Sequence, residues 1–421
     1  MTTVRRLVYP LLCGSGILLS ACGGSGSGSD AVFQPPAASL VRVSDSTPFA
    51  ANCGGATAGG ILFENAEVEP YVAVNPLNPS NLVGVWQQDR WSDGGSRGMV
   101  SAYSMDSGKT WHVQPIPMSV CAGGNAADGT DYARASDPWI SFSPNGTAHA
   151  IAIAFTGDAL QAGSTSAILV SRSLDGGTTW DKVQTLIADG ASAFNDKESI
   201  TADPGDANYV YAVWDRLTVT DFGPSYFARS TDGGASWEAA HAIYDPGLDN
   251  QTLGNAIVVT STGTLVNMFM EIHGVSSRNA TVSIRVIRSF DHGASWSAPT
   301  TVAEDQSVGT SDPDTGKHVR ASNGLPQIAV GPGNELVITW QDARFNQGKF
   351  DGVALSTSSD GGLSWSAPVQ VNAVGSAQAF TPSVAVLPDG TIGVTYYDFR
   401  SNTSNTSDSA TLPTDLWFVS S

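Results

Sequence analysis

The chain has 421 residues and a formal net charge of −19. No cluster or stripe of Lys and Arg follows it that would track a phosphate backbone, which argues against a nucleic-acid partner. Its 45 Gly, 22 Pro and 11 Trp are spread along the whole length without a linker, long amphipathic helical patterns are missing, and short alternating runs such as Tyr209 to Trp214 recur between turn signals, which together favour one large all-β domain.

The N-terminus reads as an export signal: Arg5 and Arg6, an apolar run from Leu7 to Leu19, then Leu19-Ser20-Ala21-Cys22. The apolar run is shorter than the roughly 20 residues a helix needs to cross a bilayer. The tetrapeptide resembles the bacterial lipobox. Residues 1–21 are therefore expected to be a cleaved signal peptide, Cys22 the lipidated first residue, and residues 22–38, with their Gly/Ser stretch, a flexible tether. This implies export and lipid anchoring to the bacterial cell envelope, facing periplasm or exterior, with the membrane reached through the anchor alone. Cys53 and Cys121 remain for the exported domain, each in a Cys-Gly/Ala-Gly context, and are expected to form one disulfide in an oxidising compartment. Neither has metal-ligand spacing, and the acidic stretches Asp128 to Asp137 and Asp312 to Asp314 read as solvated loops, so no metal or cofactor is expected.

From residue 39 to 421 the pattern repeats. Six inner strands are predicted at Tyr71 to Val74, Trp139 to Phe142, Ile200 to Ala202, Ala256 to Val259, Gln327 to Val330 and Ser383 to Val386, each followed by a turn and a second strand. Five of the six units are closed by one eight-residue pattern: SMDSGKTW from Ser104, SLDGGTTW from Ser173, STDGGASW from Ser230, SFDHGASW from Ser289 and SSDGGLSW from Ser358. A hairpin turn is predicted at each. The Asp accepts hydrogen bonds from turn N–H groups, the Gly two positions on supplies a positive φ, and the Trp anchors the hairpin in the core. Six units imply six blades of a β-propeller. The sixth has no box, and Ser39 to Ser44 resembles the outer strand Ala367 to Asn372, so an N-terminal strand is predicted to complete the last blade and close the ring.

The pattern S-x-D-x-G-x-[ST]-W is the Asp-box or BNR motif, and five copies resemble the sialidase superfamily. The resemblance implies an all-β, six-bladed propeller of sialidase type, with Asp106, Asp175, Asp232, Asp291 and Asp360 structural, on the face opposite the active site. The other face is the candidate site. There, strand starts and ends supply Glu69, Asp137, Lys197, Glu198 and Asn255, with Asp89-Arg90, Asp215-Arg216, Glu271, Asp342 with Arg344, and Asp398 with Arg400. Sialidase chemistry uses three arginines on the substrate carboxylate, a Tyr nucleophile helped by Glu, and an Asp acid/base. Carried over, it implies Arg90, Arg216, Arg344 and Arg400 as substrate-binding, Asp137 as acid, Glu198 or Glu271 as base, and Tyr397 as a substitute nucleophile. Two stretches depart from the family: Val68-Glu69-Pro70 has an acid where the first arginine is expected, and Ala379-Phe380-Thr381-Pro382 has Phe in the nucleophile's place. Two functions stay open: a surface glycoside hydrolase acting on terminal acidic sugars, and a non-catalytic monomer binding glycans or a surface protein.

Overall fold

The structure, a computed structural model, describes residues 5–6, 40–54, 60–218, 222–322, 324–402 and 411–421. Cys22 and the tether lie outside them. The described chain is all-β, interrupted only by single 3-10 turns at Val120–Ala122 and Arg344–Asn346.

A two-residue strand β1 (Arg5–Arg6) is followed by β2 (Leu62–Val74), β3 (Leu82–Trp91), β4 (Ser96–Ser104) and β5 (His112–Ile116), an antiparallel run. The next run is β6 (Arg134–Phe142), β7 (Ala148–Thr156), β8 (Thr165–Ser173) and β9 (Gln184–Asp189), joined to the first by one pairing, Ser96 with Ala135. Three separate four-stranded antiparallel sheets come next. They are β10 (Ala193–Ala202) to β13 (His241–Tyr244), with β11 (Val210–Thr218) and β12 (Ser225–Ser230); β14 (Asn250–Val259) to β17 (Thr300–Glu304), with β15 (Leu265–His273) and β16 (Thr281–Ser289); and β18 (Gln327–Val330) to β21 (Val369–Gln370), with β19 (Leu336–Asp342) and β20 (Gly352–Ser358). The last sheet holds β22 (Ala379–Val386), β23 (Ile392–Asp398) and β24 (Asp415–Ser420), with β1 parallel at its edge.

The core lies between consecutive sheets, because second strands are apolar on both faces. In β11, Val210, Ala212 and Trp214 pack toward the preceding sheet and Tyr211 and Val213 toward the following one, all fully buried. Strand alternation makes this possible, since successive side chains point to opposite faces. The predicted hairpins form at all five boxes. Ser230 Oγ donates to Asp232 Oδ1 at 2.8 Å, Ser236 N donates to the same oxygen at 2.8 Å, and Gly234 N donates to Ser230 Oγ at 2.8 Å. The same set recurs around Asp106, Asp175, Asp291 and Asp360.

Closure by an outer strand at Ser39 to Ser44 does not occur. Residues 40–44 carry no strand pairing. Val43, with Phe49 and Cys53, instead packs on Trp86, Val100, Trp111 and Val113 of the first sheet. That face of the first sheet is apolar, and the segment's apolar side chains are buried on it together with Cys121 and Ala122 and not at the edge of β24. Two tethers hold it there: the Cys53–Cys121 disulfide, with Cα atoms 5.5 Å apart, and a hydrogen bond from Thr47 Oγ1 to Asp89 Oδ2 at 2.7 Å.

Candidate functional site

The inner strands share one deformation. At the same place near the start of each sits a residue in the left-handed region: Glu69 (φ 55), Asp137 (φ 56), Lys197 (φ 50), Gly254 (φ 69), Gly324 (φ 85) and Thr381 (φ 50). Where the strand is already paired, the register slips at that point, between Val68 and Tyr71, Ser136 and Trp139, Asp196 and Ser199, Leu253 and Ala256, and Phe380 and Ser383. Each is a β-bulge that turns a side chain out of the ladder. Four fall on non-glycine residues, and strained backbone of this kind collects at functional sites. All six positions or their neighbours line one cavity of about 230 Å³.

Its chemistry is a knot of carboxylates around one ammonium. Lys197 Nζ pairs with Asp137 Oδ2, Arg320 pairs with Glu69 Oε1, and Gln87 Nε2 donates to Glu69 Oε2 at 2.6 Å. Burial pushes the Asp137 carboxyl up, but the Lys197 charge and hydrogen bonds from Glu69, Lys197 and Ser136 outweigh it and hold the group at about 2. Glu69 moves the other way, raised first by burial and then by the charge on Asp137. The two hydrogen-bonded carboxyls are thus displaced in opposite directions. Glu198, 3% exposed, has no hydrogen-bond partner for either carboxylate oxygen. Burial, then the Asp137 charge, raises it well above the ordinary carboxylate range. Asp196 is raised to about 6, mainly by burial.

Asp137 and Glu198 therefore lie in the cavity wall. Glu271 does not line it. It accepts a hydrogen bond from Tyr244 at 2.8 Å and lies 3.1 Å from both Arg285 and His273, in a buried cluster of β13, β15 and β16. Tyr397 stacks on Phe380, ring centroids 5.9 Å apart, and is not part of the wall. The arginines separate into two kinds. Arg216 grips Asp189 with Nε and Nη2 (3.1 and 2.7 Å), Arg344 grips Asp342 in the same way (2.9 and 2.7 Å), and Arg400 Nε donates to Asp398 at 2.7 Å while its guanidinium covers the Trp417 ring. Arg90 alone of the four lies beside the cavity's charged groups. Sequence reasoning passed over Asp196, although five polar residues in a row, Asn195 to Ser199, at the middle of a strand are a visible anomaly. At the opposite end the same inner strands line a hollow of about 420 Å³ walled by Val72, Val74, Ile257 and Val330, without a titratable group other than Tyr71. Of the two hollows, only the one at the bulged end is lined by carboxyls and an ammonium.

Residues 225–412 match the family model described as BNR repeat-like domain. No curated protein sequence matches the chain. Among solved structures, a Hadza microbial sialidase is similar with a TM-score of 0.51 at 15% identity, over 78% of this chain and 62% of that one. The chain thus spans less than two thirds of that sialidase's length. The Penicillium chrysogenum alpha-L-arabinanase complexed with arabinobiose gives 0.53 at 15% identity, over 78% and 88%, and the alpha-L-arabinofuranosidase Arb93A from Fusarium graminearum, as its E242A mutant, 0.54 at 14%, over 78% and 88%. Residues 225–412 are therefore BNR repeat-like, and the fold resembles that of these sialidase and arabinanase structures.

Proposed function

We propose that the protein is a glycoside hydrolase-type, six-bladed propeller whose reaction site is the cavity at the bulged end of the inner strands. The observation that carries this reading is the divergence of two carboxyls in one cavity wall: Asp137 is held below the ordinary carboxylate range and Glu198, whose carboxylate has no hydrogen-bond partner among the described residues, is raised well above it. Opposed proton affinities of this kind mark an acid and a base, the pair that glycosidic cleavage requires. Glu198 is the acid toward the leaving oxygen, and Asp137 the base or nucleophile. A strict sialoside substrate draws no support, because Arg216, Arg344 and Arg400 are already held by their own carboxylates or rings and Phe380 cannot attack. In this reading residues 1–21 are removed and Cys22 carries the lipid, so that the monomeric domain is displayed on the cell envelope.

A non-catalytic glycan- or protein-binding role is the second reading. It is favoured by the ion pairs that already engage Glu69 and Asp137. The soluble domain, from Ser25 onward, is to be screened against fluorogenic glycosides including arabinofuranosides and a sialoside. Turnover that falls at least a hundredfold in both Glu198→Gln and Asp137→Asn, with melting temperature kept, is the expected result. Binding without turnover across the panel would move the conclusion to the second reading.

A further inference from the structure

Beside the axial cavity lies a second one of about 350 Å³, walled by the β3–β4 turn, β6, β7, β10 and Arg320, and the two share Asp137 and Lys197 in their walls. Four cations reach it. Lys197 is tied to Asp137, Arg320 to Glu69, and Arg134 to Asp93 at 2.8 Å and to Gly94 O at 2.5 Å. Arg90 is different: among the described residues it makes one hydrogen bond, from Nη1 to Gly95 O at 2.9 Å, and no ion pair. Its Nε and Nη2 donors, the edge that Arg216 and Arg344 close on an aspartate, make no hydrogen bond to a described residue.

The reason lies next door. Asp89, adjacent to Arg90 as Asp215 is to Arg216, does not pair with it, whereas Asp342 and Asp398 each pair with the arginine two residues on. Asp89 is taken by Arg97 Nη1 at 3.3 Å, by Thr47 Oγ1 at 2.7 Å and by the backbone N–H of Asn65 at 2.8 Å. Arg90 is left half-buried; burial and then the Arg320 charge disfavour its guanidinium, while the Glu69 and Asp137 charges partly offset them. A half-buried guanidinium without a direct ion pair leaves donors to be met, and its planar fork matches a two-oxygen anion.

We propose that this side cavity is an oxyanion subsite in which the Nε/Nη2 edge of Arg90 grips a carboxylate or sulfate on the sugar adjoining the one held at the axis. The ligand class is an acidic oligosaccharide whose charge lies outside the cleaved unit. The placement rests on the axial cavity being the reaction site, but the test does not need turnover, so the two fail separately.

The arginine Nε–Hε signals of the full exported domain are followed by NMR at constant ionic strength, balanced with chloride, while sodium glucuronate, glucose 6-sulfate or glucose is added. At least one anionic sugar should shift the Arg90 signal saturably, and the stronger of the two identifies the oxyanion. Glucose should not shift it. Arg90→Lys removes that signal, so its response is read on Arg134 and Arg320 in the same wall and should saturate at least tenfold more weakly than theirs does in the parent, whereas Arg216→Lys, whose fork serves Asp189, should keep the parent response. Overturning results are a response to neither anion beyond that of chloride, an equal response to glucose, or saturation that persists in Arg90→Lys. Should Arg90→Lys fail to fold, the wild-type titration decides alone.

Discussion

A single ammonium organises the candidate site. Lys197 sits in a left-handed conformation that an unbranched side chain tolerates with difficulty, and its Nζ contacts Asp137 while Asp196 and Glu69 stand near enough to raise its own proton affinity against the effect of burial. Removing the charge leaves Asp137 buried without its main stabilising partner. In Lys197→Met the Asp137 carboxyl is expected to rise from about 2 to above the usual value near 3.8, read by carbon-detected NMR titration, and Lys197→Arg should restore much of the depression. An Asp137 titration that does not move would show that the hydrogen bonds from Glu69 and Ser136 suffice. At this scale the sequence was partly legible. Asp137 and Glu198 could be placed because strand starts fall in one ring. The arginines could not, because Asp342-Ala343-Arg344 and Asp398-Phe399-Arg400 are local self-pairs, and only three-dimensional competition for Asp89 frees Arg90.

The elements divide into those set by local chemistry and those set by their neighbours. The Asp boxes belong to the first kind: Ser, Asp and Gly at fixed offsets satisfy one another within eight residues, so the motif predicts its own hydrogen bonds. The inner-strand bulges belong to the second. Their left-handed residues are Glu, Asp, Lys and Thr rather than Gly at four of six places, which conceals them from any turn rule. Thr381 is the least comfortable, since a β-branched residue there is a true outlier, and its N–H to Gln341 Oε1 hydrogen bond at 3.0 Å does not depend on the side chain. Thr381→Gly is therefore expected to stabilise the protein by about 1 kcal/mol, strain relief of about 1–3 kcal/mol exceeding glycine's entropic cost. Chemical denaturation gives the measurement. A loss of stability would mean that the Thr381 side chain supports the cavity wall. The expected N-terminal strand fails for a related reason: its alternation fits an edge, but apolar cover for Trp86 and Val100 outweighs one more ladder.

Across the whole molecule, buried carboxyls make stability depend on pH in an unusual sense. Asp196 is raised to about 6 and Asp305 to about 7, with Glu69, Glu198 and Asp215 displaced in the same direction, burial being the first cause in every case. In an unfolded chain such groups titrate near 4. Between about pH 4 and 7 the unfolded chain has released these protons while the folded chain retains them, so the folded state binds more protons and stability must fall as pH rises. The box aspartates act oppositely. Asp106 and Asp291 are held at about 2 by hydrogen bonds from Thr110 and Ser295, and Asp137 also lies at about 2, so their contributions are complete above about pH 4 and are lost as pH falls toward 2. His149, kept near 3 by burial, favours higher pH between about 3 and 6.5, one group against five. Self-repulsion from a net charge of −19 at pH 7 adds to the decline on the alkaline side. Calorimetry from pH 3 to 8 should therefore find the highest melting temperature at about pH 4–5, with a fall of several degrees by pH 8. Asp215→Asn should flatten that fall, because one buried carboxyl no longer has to ionise. A maximum at neutral pH, or an Asp215→Asn profile parallel to that of the parent, would mean that solvent reaches these carboxyls and that they ionise at little cost.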